Sequence, residues 1–235
     1  MITLEIACNS WESCINAQNG GADRIELIEN LHDGGCTPSA GLIKMSTKLS
    51  IPVYVMIRPR GGDFCYTEEE ISIMETDIDI CQSAGVKGIV FGCLTKEGIV
   101  DAALCERLLK RWGGPATFHR AIDECQDIFK ACDTIVKLGF ERILSSGGAP
   151  TAMAGIKVLA QLQNEFGEQI SIMPGSGITS ENVVEIIHTT GCNEVHATCK
   201  STKTYPNNQV KGLFQQRTTS DEGIIHELKS VIQNL

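Results

Sequence analysis

Two glutamates and two histidines are placed where a side chain can do acid/base chemistry. Glu5 lies in the apolar run TLEIAC and Glu26 in RIEL, both patterned as strands. A carboxylate buried in a strand is costly unless it is paired and hydrogen-bonded. Two readings stay open. One is a salt-bridge layer with Arg58, Arg60, Arg120 or Arg142, and the other is a proton-exchanging or substrate-orienting group tuned by its surroundings. His119 follows ATF and His196 sits within EVHA, each at or near a strand's end. Glu26 and His119 are the candidate catalytic pair. Arg58, Arg60 and Arg120 are candidate anion binders, with His196 beside them. Two glycine loops, Ser145-Ser146-Gly147-Gly148 and Pro174-Gly175-Ser176-Gly177, bring backbone N–H groups close enough to wrap a phosphate or carboxylate. The second opens toward Thr179, read as a helix cap. Ser146, Gly147, Gly175 and Gly177 are therefore expected at a substrate.

The chain has 11 cysteines but no C-x-x-C pair, which argues against a zinc ribbon or a thioredoxin-type site. Most read as free, buried thiols. Six of them (Cys8, Cys36, Cys65, Cys93, Cys125 and Cys199) fall at strand ends or just beyond, where clustered thiolates would suit a soft ion such as Cu(I). His32, His188 and His226 read as structural or exposed.

The elements that must carry these residues repeat one grammar. Short β-prone runs occur at Thr3–Cys8, Arg24–Leu27, Pro52–Ile57, Gly88–Phe91, Ala116–Phe118, Arg142–Leu144, Gln169–Met173 and Glu194–Ala197, each followed by an amphipathic helical stretch. Helix exits are marked by Gly20-Gly21, Gly85, Gly113, Gly139, Gly167 and Gly191, and helix starts by Thr37, Thr67 with Glu70, Asp101 and Thr179. Eight βα units in 235 residues predict an α/β fold, a single (β/α)8 barrel of the TIM type, with residues 1–235 as one domain. No G-x-G-x-x-G turn follows the first strand, so a dinucleotide-binding open sheet has no support. Catalytic groups in such barrels gather where the strands' C-terminal ends meet the loops. The stretch 198–220 is read as one long connection, either a lid or a subunit contact.

A net charge of −9 disfavours nucleic acid and anionic membranes as partners. The N-terminal MITLEIAC enters a strand directly and reads as neither a signal peptide nor a membrane anchor, so a cytoplasmic protein is expected. The expected partners are a metal ion or a small anionic ligand, with a homodimer as the assembly considered.

Several segments together resemble the CutC family. They are GGADRIEL (20–27), GGCTPS (34–39), MIRPRGGDF (56–64), TFHRAID (117–123), LSSGG (144–148), MPGSGI (173–178) and EVH (194–196). The resemblance implies a β/α barrel, a cytoplasmic location and a role in copper homeostasis. It also implies Cu(I) as the bound metal, held by Cys8 and a cysteine directly after RIEL. This chain has Ile28 there, leaving Cys36 in a neighbouring loop as the candidate second ligand. After the strand-eight histidine the family's Ser-Ala-Arg becomes Thr198-Cys199-Lys200, which keeps a cation but not its bidentate fork. Copper binding and an enzyme acting on a small anionic or phosphorylated substrate thus both stand as expectations. The Arg, His and Glu segments speak for the enzyme.

Overall fold

The computed structural model describes residues 2–204 and 216–235. Its core is a ring of short parallel strands: β1 (Thr3–Cys8), β2 (Arg24–Leu27), β3 (Val53–Met56), β4 (Gly88–Phe91), β5 (Ala116–Phe118), β6 (Arg142–Ser145), β7 (Ser171–Pro174) and β8 (Glu194–Ala197). They pair in the order β7-β6-β5-β4-β3-β2-β1-β8. The ring is nearly closed between β7 and β8, where the Ser171 hydroxyl donates to Glu194 Oε1 at 2.8 Å. Helices cover the outside: α1 (Trp11–Asn19), α2 (Ala40–Ser46), α3 (Glu68–Ala84), α4 (Ala102–Trp112), α5 (Ile128–Leu138), α6 (Ile156–Phe166), α7 (Val183–Thr190) and α8 (Glu222–Gln233). The expected β/α barrel is the fold.

Period-two alternation along each strand sends one set of residues outward and the other inward. Outward residues such as Leu4, Ile6, Cys8, Ile25 and Leu27 join the large apolar layer beneath the helices. Inward residues form a much smaller apolar cluster of Ala7, Ile28, Tyr54, Met56 and Val90. It is small because much of the barrel's interior is charged. The register sets Glu5 level with both Arg24 and His196, with Glu26 one inward step higher beside Ala7.

The helix signals hold in part. Thr67 and Glu70 form the reciprocal capping box of α3, and Asp101 caps α4. The cap of α2 is Ser39 rather than Thr37, and α7 starts only at Val183, after a turn in which Asn182 Oδ1 accepts from Thr179 N–H. Gly85, Gly113, Gly139 and Gly191 take the left-handed exit, as does Gly21 of the Gly20-Gly21 pair, but Gly20 and Gly167 remain right-handed. At Gly167 the demand is for space, because a Cβ would lie 2.4 Å from the Gln163 carbonyl oxygen.

The stretch read as one long connection contains an antiparallel hairpin, β9 (Lys200–Thr204) with β10 (Gln216–Ser220). Lys211 and Pro206-Asn207-Asn208 lie outside the described residues, as does the lid reading that rests on them. β10 is anchored from below. Ser220 Oγ donates to the Ala7 carbonyl at 2.9 Å, and Asn16 Nδ2 donates to the Ser220 carbonyl at 2.8 Å. No helix among the described residues is long and apolar enough to cross a membrane.

Candidate active site

Inside the barrel, charge comes in two tiers. In the lower tier Arg24, projecting from β2, pairs with both Glu5 and Glu194. Arg142 on β6 donates to Glu194 Oε2 at 3.0 Å, to Glu141 at 2.8 Å and to the Thr117 hydroxyl at 3.2 Å. Both guanidinium groups lie over the Tyr54 ring, 5.3 and 4.8 Å from its centroid, and Tyr54 OH donates to Glu141 at 2.9 Å. Gly88 makes room for that ring, since a Cβ there would lie 2.2 Å from it. Burial works against the Glu5 charge, but Arg24 and His196 outweigh it and hold the carboxyl at about 2. Glu194 is opposed by burial in the same way and held down by Arg24 and Arg142.

The upper tier is less complete. His196 donates through Nδ1 to Glu5 Oε1 at 2.8 Å, and its Nε2 faces Glu26 Oε2 at 3.7 Å. Glu26 Oε1 is buried and has no hydrogen-bond partner. Burial, with only partial relief from His196, pushes Glu26 up to about 7. Burial also opposes a charge on His196, yet Glu26 and Glu5 together raise it. Each of the two thus favours the charged form of the other. Across the barrel, His119 is buried with Nε2 unpartnered, while its Nδ1 accepts from Ala121 N–H at 3.2 Å. Burial and then the neighbouring Arg58 cation push His119 down to about 3, so it is neutral at physiological pH.

These groups line one pocket of about 710 Å³, within the usual size range for small-molecule sites. Glu26, Arg58, His119, Arg120, Gly177 and His196 all face it, joined by Met56, Phe64, Leu144 and residues Ser176–Ser180. Arg58 is buried and held as a rigid cation. Its Nη1 donates to the carbonyls of Asp33 and Gly35, its Nη2 donates to that of Gly62, and it lies over the Phe64 ring at 4.8 Å.

Other expected residues are placed elsewhere. Arg60 does not line the pocket; it turns to Glu70 at 2.6 Å and to Asp63 at 3.0 Å, tying the loop to the start of α3. Ser146 and Gly147 do not offer an empty anion cup, because the loop already holds an anion from its own chain. Asp123 accepts from the N–H groups of Ser146 and Gly148 and from the hydroxyls of Ser145 and Ser146, at 2.6–3.1 Å. Arg120 donates to the same carboxylate at 2.9 Å. The Gly147 N–H is taken by Ser145 Oγ. Gly175 donates its N–H to the Ser145 carbonyl and packs on Leu144, while Ser176 and Gly177 of that loop line the pocket.

The two thiols expected to hold copper are not at the pocket. Cys8 points outward, fully buried, with its Sγ against the carbonyls of Ile6 and Ser13. Burial, reinforced by Cys14, raises its thiol. Cys36 is half-buried in the β2–α2 loop, bridged to Glu29 and 4.0 Å from Asn30 Nδ2. The only three-residue His/Cys/Asp/Glu group with metal-like spacing among the described residues is Glu5, Glu26 and His196, whose ligand atoms lie within 4.8 Å of one another. Glu5 already serves Arg24 and His196, so Glu26 and His196 Nε2 remain as donors. An oxygen and an imidazole nitrogen are a poor match for Cu(I). Glu194 and the Asp123 plug did not stand out in the sequence. Glu194's inward direction follows from sharing period two with His196.

The comparisons with known proteins agree on one family. Residues 2–201 match the CutC family model. A human protein named copper homeostasis protein cutC homolog is 43% identical over 202 residues, covering 85% of this chain and 74% of its own. A CutC family protein of Aliivibrio fischeri is 47% identical, covering 86% and 83%. The crystal structure of a CutC protein from Streptococcus agalactiae superposes with a TM-score of 0.80 at 36% identity, covering 84% of this chain and 99% of that one. A phosphoribosyl anthranilate isomerase from Thermococcus kodakaraensis, at 17% identity and a TM-score of 0.61, shares the fold over the full length of both chains. The chain belongs to the CutC family.

Proposed function

Proceeding from that membership, we propose that this CutC-family barrel is an enzyme that exchanges protons with a small ligand in the pocket at its mouth, with Glu26 as the acid/base group. The observation that carries this reading is the Glu26 carboxyl. It is buried and pushed up to about 7, one oxygen is unpartnered, its residue lines the pocket, and its other oxygen stands 3.7 Å from His196 Nε2. A carboxyl with an ionisation near the working pH is the form general acid/base catalysis favours. Glu5, itself fixed by Arg24, orients His196 through Nδ1 and leaves Nε2 toward Glu26. Arg58 and Gly177 supply a cation and a backbone turn for a ligand's anionic portion. The test is carbon-13 NMR titration of glutamate-labelled protein. One carboxyl that titrates near pH 7 and vanishes in Glu26→Gln is expected; if every glutamate titrates below pH 5, the reading is wrong.

Copper handling is the second reading, favoured by the name borne by the human relative. For this chain it would run through Cys8 and Cys36, a two-thiolate arrangement suited to Cu(I). Because the Cys8 thiol is raised by burial, metal entry would have to displace its proton and open the layer above it. An anaerobic Cu(I) competition titration decides the matter. Tight one-to-one binding lost in both Cys8→Ser and Cys36→Ser supports it, and binding indifferent to both removes it.

A further inference from the structure

His119 has a fixed chemical identity that the acid/base reading leaves unused. Its Nδ1 accepts a hydrogen bond from the Ala121 backbone N–H at 3.2 Å, which requires a lone pair on Nδ1. The one proton of the neutral ring must then be on Nε2. That nitrogen is buried and has no partner in the protein, and the residue that carries it lines the pocket, so it is a hydrogen-bond donor with its acceptor missing. The ring cannot easily turn away. Phe64 packs on it with centroids 4.8 Å apart, Phe118 at 6.1 Å, and the Arg58 guanidinium lies on Phe64 from beyond. The Gly92 backbone passes so closely that a Cβ there would lie 2.8 Å from the ring. A second cation beside Arg58 is electrostatically unfavourable, which keeps the ring neutral and donating.

Glu26 on β2 and His119 after β5 stand three places apart in a ring of eight strands, so they approach the pocket from nearly opposite walls. One wall offers a group that takes a proton, and the other a neutral N–H that can only give a hydrogen bond. We infer that the ligand is a small carbonyl compound with an acidic α-hydrogen, whose carbonyl oxygen is bonded by His119 Nε2–H while Glu26 removes the α-proton. This rests on the acid/base reading above and names its substrate class.

The step balances within the site. The Glu26 carboxylate takes the α-proton, the C–H electron pair becomes a carbon–carbon double bond, and the carbonyl π pair moves onto oxygen. His119 keeps its own proton and bonds the enolate oxygen. The Glu26 carboxylic acid exchanges its proton with water and returns one to the same face of the carbon, giving hydrogen exchange at that centre with no oxidant, reductant or second substrate. A neutral imidazole suits this task, because it stabilises the developing oxyanion without protonating it.

The test has two arms. In deuterium oxide at neutral pD, wild-type protein is incubated with pyruvate, 2-oxoglutarate, dihydroxyacetone, dihydroxyacetone phosphate and glyceraldehyde, and loss of α-hydrogen is followed by proton NMR. Exchange of at least one compound well above its rate with Glu26→Gln is expected. His119→Ala should lower that rate roughly 100-fold, as for loss of an oxyanion donor, and His119→Gln, which keeps an N–H, should recover part of it. The second arm needs no variant to fold. Nitrogen-15 NMR of histidine-labelled wild type should show His119 neutral and protonated at Nε2 from pH 5 to 8. Exchange no faster than with Glu26→Gln for every compound, or a His119 that is cationic or protonated at Nδ1 at pH 7, overturns the assignment. If the exchange fails while Glu26 still titrates near pH 7, only the carbonyl assignment falls. If Glu26 titrates as an ordinary glutamate, the acid/base reading falls with it.

Discussion

The lower and upper tiers of the barrel interior use the same side-chain types to opposite ends. Below, Arg24, Arg142, Glu5 and Glu194 saturate one another, and the hydroxyls of Ser171 and Thr117 absorb further valences. Above, Glu26 and His119 each keep a buried polar atom without a partner. A satisfied network fixes geometry and moves ionisations away from neutrality, as with Glu5 at about 2. An unsatisfied one leaves a group near neutrality and open to a ligand, as with Glu26 at about 7. The lower tier is the scaffold on which the upper one stands, since Glu5 belongs to both.

The sharpest way to break this comparison is to remove one charge from each tier. Arg24→Met leaves Glu5 and Glu194 buried without their shared cation and is expected to destabilise the fold by about 3–5 kcal/mol in urea unfolding. Glu26→Gln removes a carboxyl that the fold does not fully satisfy, and its stability should stay within about 1 kcal/mol of wild type at pH 7. Equal losses would mean that the two tiers are both structural.

A pH series sharpens the same contrast. Glu26 is raised in the fold, so the stability it contributes is complete below the ordinary glutamate value and is lost as pH climbs through about 7. Glu5 is lowered, so its contribution is present above the ordinary value and is lost as pH falls toward about 2. Unfolding free energies of Glu26→Gln, compared with wild type, should therefore rise relative to it by on the order of 3 kcal/mol between pH 4.5 and 7.5. A flat difference curve would put Glu26 with the lower tier.

A further contrast concerns the loop filled by its own chain. Asp123→Ala strips the acceptor from the N–H groups of Ser146 and Gly148 and should cost about 1–3 kcal/mol, partly restored by added inorganic phosphate in a thermal-shift series. No restoration would mean that the loop collapses once its carboxylate is gone.

Much of this was legible in the sequence for a physical reason. Strand–helix alternation and turn chemistry are local, and they placed the ring of strands with small boundary shifts at Val53, Ser145 and Ser171. Glu26, Arg58, His119 and His196 line the pocket, and each could be singled out because polar residues inside or just beyond apolar strands have few places to go. The direction of Cys8 is contained in period two. If Glu5 points in, Ala7 does too, and Cys8 must face the helices. The filled glycine loop was not legible, since its acceptor Asp123 lies 22–25 positions away and only tertiary packing delivers it. The pairing of Arg60 with Glu70 was not legible for a similar reason, because it is set by how the loop meets α3.

The pairing of β1 with β8 also ties the site to the most distant contact in the barrel. Glu5 and His196 are 191 positions apart and become neighbours only when the last strand docks against the first. Such long-range pairing is among the slowest events in a folding chain, because loop closure must come before its contacts can form. The histidine beside Glu26 is therefore oriented in the same act that completes the ring. A chain stalled with its ends unjoined would hold most of its strands and helices yet leave His196 away from Glu5 and Glu26, so that arrangement arrives only with closure.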